Sequence, residues 1–198
     1  MNEELIKNAM KMFDTSAKWH AFLELVNQSD NIRDCWWRIL KEEVHKRELE
    51  FNKENPDWDW DIRSFGICDI RWLIRGKPEN SLMIQFHPNF LRVFYNGGYL
   101  DVNKVNQLII DQRFDIIKTC FDRIDGSNWE TIGWEDRNFS FDTPYDGKFS
   151  SQALSWYAGN RTKEFADQLI AKVRKFQKPE ITALFKEINE KCRKDNTV

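Results

Sequence analysis

The sequence predicts an α+β fold with N-terminal helices, a central antiparallel β-meander and C-terminal helices packed on the sheet. Apolar residues recur at helical spacing before residue 50 and again after residue 160, whereas between residues 57 and 95 they alternate with polar residues. Turn-forming sequences separate the alternating stretches, which is typical of antiparallel strands that follow one another along the chain. We expect a single domain over residues 1–198.

The N-terminal helices are predicted from three apolar stripes. Residues 3–13 carry the first stripe, and residues 19–26 carry the second, after a capping sequence at residues 14–16. The third helix is expected to start near Asp30 or Asn31 and to end before Pro56, which cannot continue a helix. Its apolar face is expected to comprise Ile32, Trp36, Ile39, Leu40 and Val44. Trp37 would then lie at the margin of that face or be exposed.

The sheet is predicted from the sequence "DWDWDIRSFGICDIRWLI", in which residue type alternates. Side chains alternate across a strand, so one face should be aromatic and the other charged. The residues expected to be buried against helices are Trp60, Ile70 and Trp72. Those expected on the wetter face are Asp59, Asp61 and Arg71. Gly66 indicates a bulge or bend.

Two further strands are expected in "LMIQFH" and "FLRVFYN", after the turn sequence "RGKPENS". Asp101 is predicted to cap one long helix or two abutting helices. Residues 129–156 show no regular period, and we assign only a short strand at "NFSF". The last two helices are predicted from an apolar stripe at residues 165–176 and from Pro179, which opens the second of them.

Composition restricts the classes of function. The net charge of −2 argues against a strongly electrostatic nucleic-acid binder, and nine Trp and fifteen Phe residues give a short chain the material for a dense core. The N-terminal sequence does not resemble a secretory signal, and no stretch is long and apolar enough to span a membrane. We therefore expect a soluble, cytoplasmic protein with no membrane partner. Its four cysteines should be reduced and unpaired.

Two tryptophans are candidates for ligand contact. Trp37 would serve as an anchor for a protein partner if it is exposed, because exposed Trp is enriched at interface hot spots. Trp58 would offer a stacking surface at the start of the first strand. The alternative interpretation, that aromatic residues of an alternating strand face the core, is favoured for the strand. The neighbouring aspartates lack the turn and the closing glutamate of a calcium loop, and we predict no metal site there.

A second candidate set comprises Glu50, Asp69, Gln85 and His87. A helical acid, a strand aspartate and a Gln two residues before a base resemble, in outline, the metal-dependent nucleases of the restriction-endonuclease-like class. The resemblance implies that Asp69 and Glu50 hold Mg²⁺ with help from Gln85, and that His87 replaces the lysine of that class as the base. The Pro-Asp pair and the second strand carboxylate of that class are absent. The alternative is a wet sheet face with scattered polar residues.

The sequence contains no phosphate-binding glycine loop, no dinucleotide motif and no GxSxG nucleophile elbow. We therefore predict an intracellular, non-catalytic binding or regulatory domain without a cofactor. It would hold a protein, a peptide or a small ligand on an aromatic-rich surface or in a groove between sheet and helices. The divergent nuclease, with Mg²⁺, is the alternative. Nucleic acid is not the favoured partner, because basic and acidic residues are mixed in the last helices.

Overall fold

Helices and an antiparallel sheet form two layers in the computed structural model, which describes residues 3–63, 68–88, 90–121, 131–136, 139, 141 and 151–194. The N-terminal helices are α1 (Glu3–Met12), α2 (Ser16–Asn27) and α3 (Ser29–Glu54). The strands are β1 (Trp58–Arg63), β2 (Asp69–Ile74), β3 (Met83–His87), β4 (Phe90–Phe94) and β5 (Thr131–Asp136). The remaining helices are α4 (Val102–Leu108), a 3₁₀ turn (Gln112–Phe114), α5 (Asp115–Lys118), α6 (Ser151–Asn160), α7 (Thr162–Phe176) and α8 (Pro179–Lys191). The predicted α+β fold class is confirmed.

The long helix α3 buries a different stripe from the one expected. Its buried residues are Trp37, Leu40, Val44 and Glu48, which recur at the spacing of one helical face. Trp37 is 3% exposed, whereas Trp36 is half-buried and Ile39 is 43% exposed. The expected face was therefore wrong for Trp36 and Ile39, because the helical period aligns Trp37 with Leu40 and Val44.

The sequence from Trp58 to Ile74 forms two strands, where we expected one strand with a bulge. Strands β1 and β2 are antiparallel, with Trp58 opposite Ile74, Trp60 opposite Trp72, and Arg63 opposite Asp69. The chain therefore reverses between residues 63 and 69; residues 64–67, including the expected bulge at Gly66, lie outside the described residues. The register pairs even-numbered residues of β1 with even-numbered residues of β2. Even-numbered side chains of both strands consequently lie on the same face of the sheet.

Within the described residues the sheet has the meander order β1-β2-β3-β4-β5. The even-numbered residues of β2 and β3 face the helices, and Ile70, Trp72 and Phe86 are at most 1% exposed. Asp59, Asp61 and Arg71 are half-buried on the other face. Trp60, which was expected to be buried, is only half-buried, although it packs against the core. Strand β5 was not expected; its pairing with β4 shifts register between Arg92 and Phe94.

In the C-terminal half, two helices begin where capping and helix-start residues of the sequence predict. Asp101 caps α4 by accepting hydrogen bonds from the backbone N–H groups of Asn103 and Lys104, at 2.9 and 3.1 Å. Pro179 occupies the first turn of α8, as predicted. Helix α6 was not expected. The "NFSF" strand lies mostly outside the described residues, apart from the buried Phe139 and Phe141.

Helices α3 and α6 approach closely at Gly159. A Cβ atom added to this glycine would overlap the indole ring of Trp36. The contact explains why a glycine occupies the last turn of α6, where it packs on the half-buried ring of Trp36.

Replacing Gly159 with alanine should lower the free energy of unfolding by about 1–3 kcal/mol, because the methyl group overpacks this contact. In an uncrowded helix the same change would raise stability by up to about 1 kcal/mol, so the sign of the change tests the contact. Urea unfolding measures it. The double variant with Trp36→Leu, which removes the ring, should cost less than the sum of the two single changes. A Gly159→Ala protein as stable as the parent would contradict the close approach.

Candidate functional site

Within the described residues, two candidate places combine polar side chains with a defined geometry. The first, which we name the polar row, consists of Asp69, Arg71, Gln85, His87 and Arg92 on the sheet face turned away from the main core. The second, the α3–α8 groove, is a cavity of about 240 Å³ lined by Glu54, Asn55, Pro56, Asp57, Trp58, Gln177, Pro179 and Thr182.

The polar row crosses three strands because their register aligns it. Arg71 of β2, Gln85 of β3 and Arg92 of β4 are direct neighbours. Arg71 Nη2 lies 2.7 Å from Asp69 Oδ2, and Gln85 Nε2 donates to Asp69 Oδ1 at 3.1 Å. Arg92 Nε donates to Gln85 Oε1 at 3.0 Å. The carboxylate of Asp69 is thus engaged by an arginine and an amide.

His87 stands two residues beyond Gln85 on the same face of β3. Burial lowers the pKa of its imidazole; Asp69 raises this pKa and the positive charge of Arg92 lowers it, with burial the largest effect. The neutral imidazole is therefore favoured in the folded protein at neutral pH.

The structure brings three of the four predicted nuclease-like residues together and separates the fourth from them. Glu50 is exposed on α3 and pairs with Lys53, 3.3 Å away. Helix α3 packs against the opposite face of the sheet, where Trp37 contacts Phe86. Among the described residues, no group of three or more His, Cys, Asp or Glu side chains is arranged to hold a metal ion. Sequence reasoning assigned no role in this set to Arg71 and Arg92.

Trp37 and Trp58 are only 3% and 2% exposed. Trp37 packs between the sheet and α7, with ring centroids 6.4 Å from Phe86 and 6.0 Å from Phe165. Both indoles pack in the core, which is the interpretation favoured for the strand; a contact between either indole and a ligand stays a prediction. Trp58 nonetheless contributes to the wall of the groove, and its Nε1 donates to Thr182 Oγ1 at 2.9 Å.

A buried ion pair between Glu48 and Arg174 contacts Gln177, one of the residues that line the groove. Glu48 is 1% exposed, and its Oε1 accepts from Arg174 Nη2 at 2.8 Å. The guanidinium of Arg174 also lies over the ring of Phe51, 3.2 Å from its centroid. Burial lowers the pKa of Arg174, whereas Glu48 raises it; arginine still remains charged at neutral pH.

Arg174 also determines how Gln177 presents its amide. Arg174 Nη1 donates to Gln177 Oε1, which fixes the oxygen of the amide toward α7. Gln177 is only 9% exposed, and its Nε2 has no hydrogen-bond partner in the part of the chain that the structure describes. An unsatisfied buried donor costs about 1–3 kcal/mol. One residue that lines the groove therefore carries an unpaired donor, and this donor is itself shut off from solvent.

The ends of two helices meet at the groove. Glu54 is the last residue of α3, and Pro179 is the first residue of α8, which has no side-chain cap. Asp57 Oδ1 accepts from Lys186 Nζ at 2.8 Å. Glu54 has no ion-pair partner among the described residues. A helix dipole makes the C-terminal end of a helix negative and its N-terminal end positive. The groove therefore lies between the negative end of α3 and the positive end of α8.

No protein-family model, curated protein or solved structure matches the chain. Function is therefore inferred from the chain's own residues. No helix within the described ranges meets the length and apolarity required to cross a membrane. Each of the four cysteines lies within those ranges and is unpaired.

Stability should fall as the pH is lowered below the ordinary His value of 6.5, and His87 should account for part of this fall. Because its folded pKa is lowered, the unfolded chain binds more protons in this window, so stability is complete above pH 6.5 and is lost toward the folded pKa. Urea unfolding between pH 5 and 8, at about half-unit steps, measures the slope.

His87→Asn should flatten that slope relative to the parent. Slopes are compared, so a change in absolute stability does not affect the comparison. An unchanged slope in His87→Asn would contradict a buried neutral imidazole.

Proposed function

We propose that this chain is a non-catalytic binding domain and that the α3–α8 groove is its ligand site. The observation that supports the proposal is a concave cavity between sheet and helices, lined by the ends of α3 and α8 and by Trp58, Gln177 and Thr182. Ligand sites are typically concave and mostly apolar, with a few placed polar groups. We further propose a cytoplasmic location, where unpaired thiols persist.

The walls of the groove are held by a contact between two lining residues and by contacts with the core. Trp58 is fixed by its hydrogen bond to Thr182 and by its ring contact with Phe185, whose centroid is 5.2 Å away. Gln177 is fixed by Arg174, which Glu48 holds in turn. A site ordered before the ligand arrives loses less entropy on binding. A volume of about 240 Å³ suits a ligand, or part of a ligand, of amino-acid size.

A fragment titration tests the proposal. The ¹⁵N-labelled chain is titrated with neutral, cationic and anionic fragments of amino-acid size, and the indole N–H signals are followed by NMR. We expect saturable shifts of the Trp58 signal, because its indole lines the groove, and no shift of Trp156, which is 46% exposed on α6. If no fragment moves Trp58, or if the backbone signals of Gln85 in the polar row move in its place, the groove is not the ligand site.

The divergent nuclease is retained as a second candidate, because Asp69, Gln85 and His87 are neighbours on the sheet. Two features weigh against it. Asp69 is engaged by Arg71 and Gln85, and Mg²⁺ is reluctant to shed water for a site poor in carboxylates. Glu50, the second proposed carboxylate, belongs to a helix that packs on the other face.

Millimolar Mg²⁺ or Mn²⁺ should therefore leave the melting temperature unchanged, since a ligand stabilises the protein only if it binds the native state. We also expect no metal-dependent cleavage of single- or double-stranded DNA or RNA. Thermal scans and gel assays check both expectations. Cleavage that disappears in Asp69→Ala, while circular dichroism shows an intact fold, would establish the nuclease.

A further inference from the structure

We propose that two copies of this chain associate through its N-terminal arm, which we define as helices α1 and α2. The arm extends from Glu3 to Asn27, and none of the residues that line the α3–α8 groove belongs to it. Self-association through the arm is therefore independent of the proposed ligand site.

The arm leaves its apolar side chains in solvent. Helix α2, which is described along its whole length, has no buried residue. Six large apolar side chains of the two helices are between 39% and 70% exposed: Met10, Met12, Trp19, Leu23, Leu25 and Val26. Phe13 connects the two helices, because its ring centroid lies 5.7 Å from that of Trp19 and 4.5 Å from that of Phe22.

Helices as short as these need a surface to pack on. Helix α1 has 10 residues and α2 has 12, whereas isolated helices shorter than about 12–15 residues are marginal in water. Most helical stability in proteins comes from packing an apolar face. Because the rest of the chain buries no residue of α2, the surface that covers this face comes from another molecule.

The exposed apolar area matches what a homodimer requires. With about 150–250 Å² for each side chain, the exposed fractions of the six residues correspond to apolar surface of the order of 500 Å². A standard interface buries about 800 Å² per partner, and about two thirds of a homodimer interface is apolar. The arm therefore supplies the apolar part of one such interface.

Charge favours a second copy over an anionic partner. The arm carries three lysines and four carboxylates, so neither nucleic acid nor an anionic membrane gains a net attraction from it. Glu3 and Glu4 occupy the first turn of α1, and Lys11 occupies its last turn. A two-fold axis that pairs α1 with its copy in antiparallel orientation brings the acidic turn of each helix beside the basic turn of the other. Opposed helix dipoles favour the same orientation.

Sedimentation velocity of the full chain across micromolar concentrations tests the proposal. We expect the parent to reach twice the mass of the monomer as its concentration rises. Met10→Glu should weaken this association about tenfold or more, because it places an unpaired charge in the apolar interface. Met10 is 70% exposed in the monomer, so circular dichroism should show an intact fold. Ile110→Glu is the matched control at an apolar residue outside the arm that is 79% exposed, and it should associate as the parent does.

A pair of charge variants tests the pairing of α1 with its copy. The first variant combines Glu3→Lys with Glu4→Lys, and the second combines Lys7→Glu with Lys11→Glu. Each alone gives α1 charges of one sign and should associate more weakly than the parent, because like charges then face each other. An equimolar mixture should recover the association, since one α1 is then basic and the other acidic.

A parent chain that stays monomeric at every concentration would overturn the proposal, as would a Met10→Glu variant that associates like the parent. A mixture of the two charge variants that associates no better than either alone would contradict the pairing of the α1 helices. Flotation of the parent with phosphatidylcholine and phosphatidylserine vesicles distinguishes the other source of cover. A monomer that floats with these vesicles would assign the apolar face to lipid and overturn the proposal.

Discussion

Three aromatic rings meet where the sheet, the longest helix and the C-terminal helices touch, and the placement of the other elements depends on this contact. Trp37 of α3, Phe86 of β3 and Phe165 of α7 have ring centroids about 6 Å apart in each pair. Edge-on packing at such distances adds to the free energy gained from burying the rings. It also fixes the rotation of α3 about its axis, and so determines which side chains farther along α3 face inward.

Glu48 is one of those inward-facing side chains, three turns beyond Trp37. A buried carboxylate is costly unless it is paired, and Arg174 of α7 supplies the partner. Because a buried ion pair adds little net stability over apolar packing, we infer that its value here is specificity, since the docked register of α3 and α7 joins the two charges. The same arginine also donates to the side-chain oxygen of Gln177. The docking of α3 on α7 therefore also orients a residue that lines the groove.

Sequence periodicity predicted the layers well and their contacts poorly. The alternation around Trp60 and Trp72 identified the buried face of the sheet, even though a strand reversal lies between them, because the register pairs residues of equal parity. The choice between Trp36 and Trp37 failed, because adjacent aromatics fit a helical stripe almost equally well and tertiary packing selects one. Strand β5 and helix α6 lie in or beside a stretch without regular period, where local pattern carries little information.

The groove could not have been found from the sequence, because its two halves come from residues 54–58 and 177–182 and neither half contains a motif. The two halves meet because α3 and α7 end, and β1 and α8 begin, at the same place in the fold. Helix ends leave backbone groups without intrahelical partners, and the poles of α3 and α8 are opposite in sign. The polar row has the stronger sequence signal, yet Asp69 and Gln85 are engaged by each other and by arginines. The polar residues that stand out in the sequence thus stabilise the sheet, whereas the groove lies at a junction of chain segments that only the fold brings together.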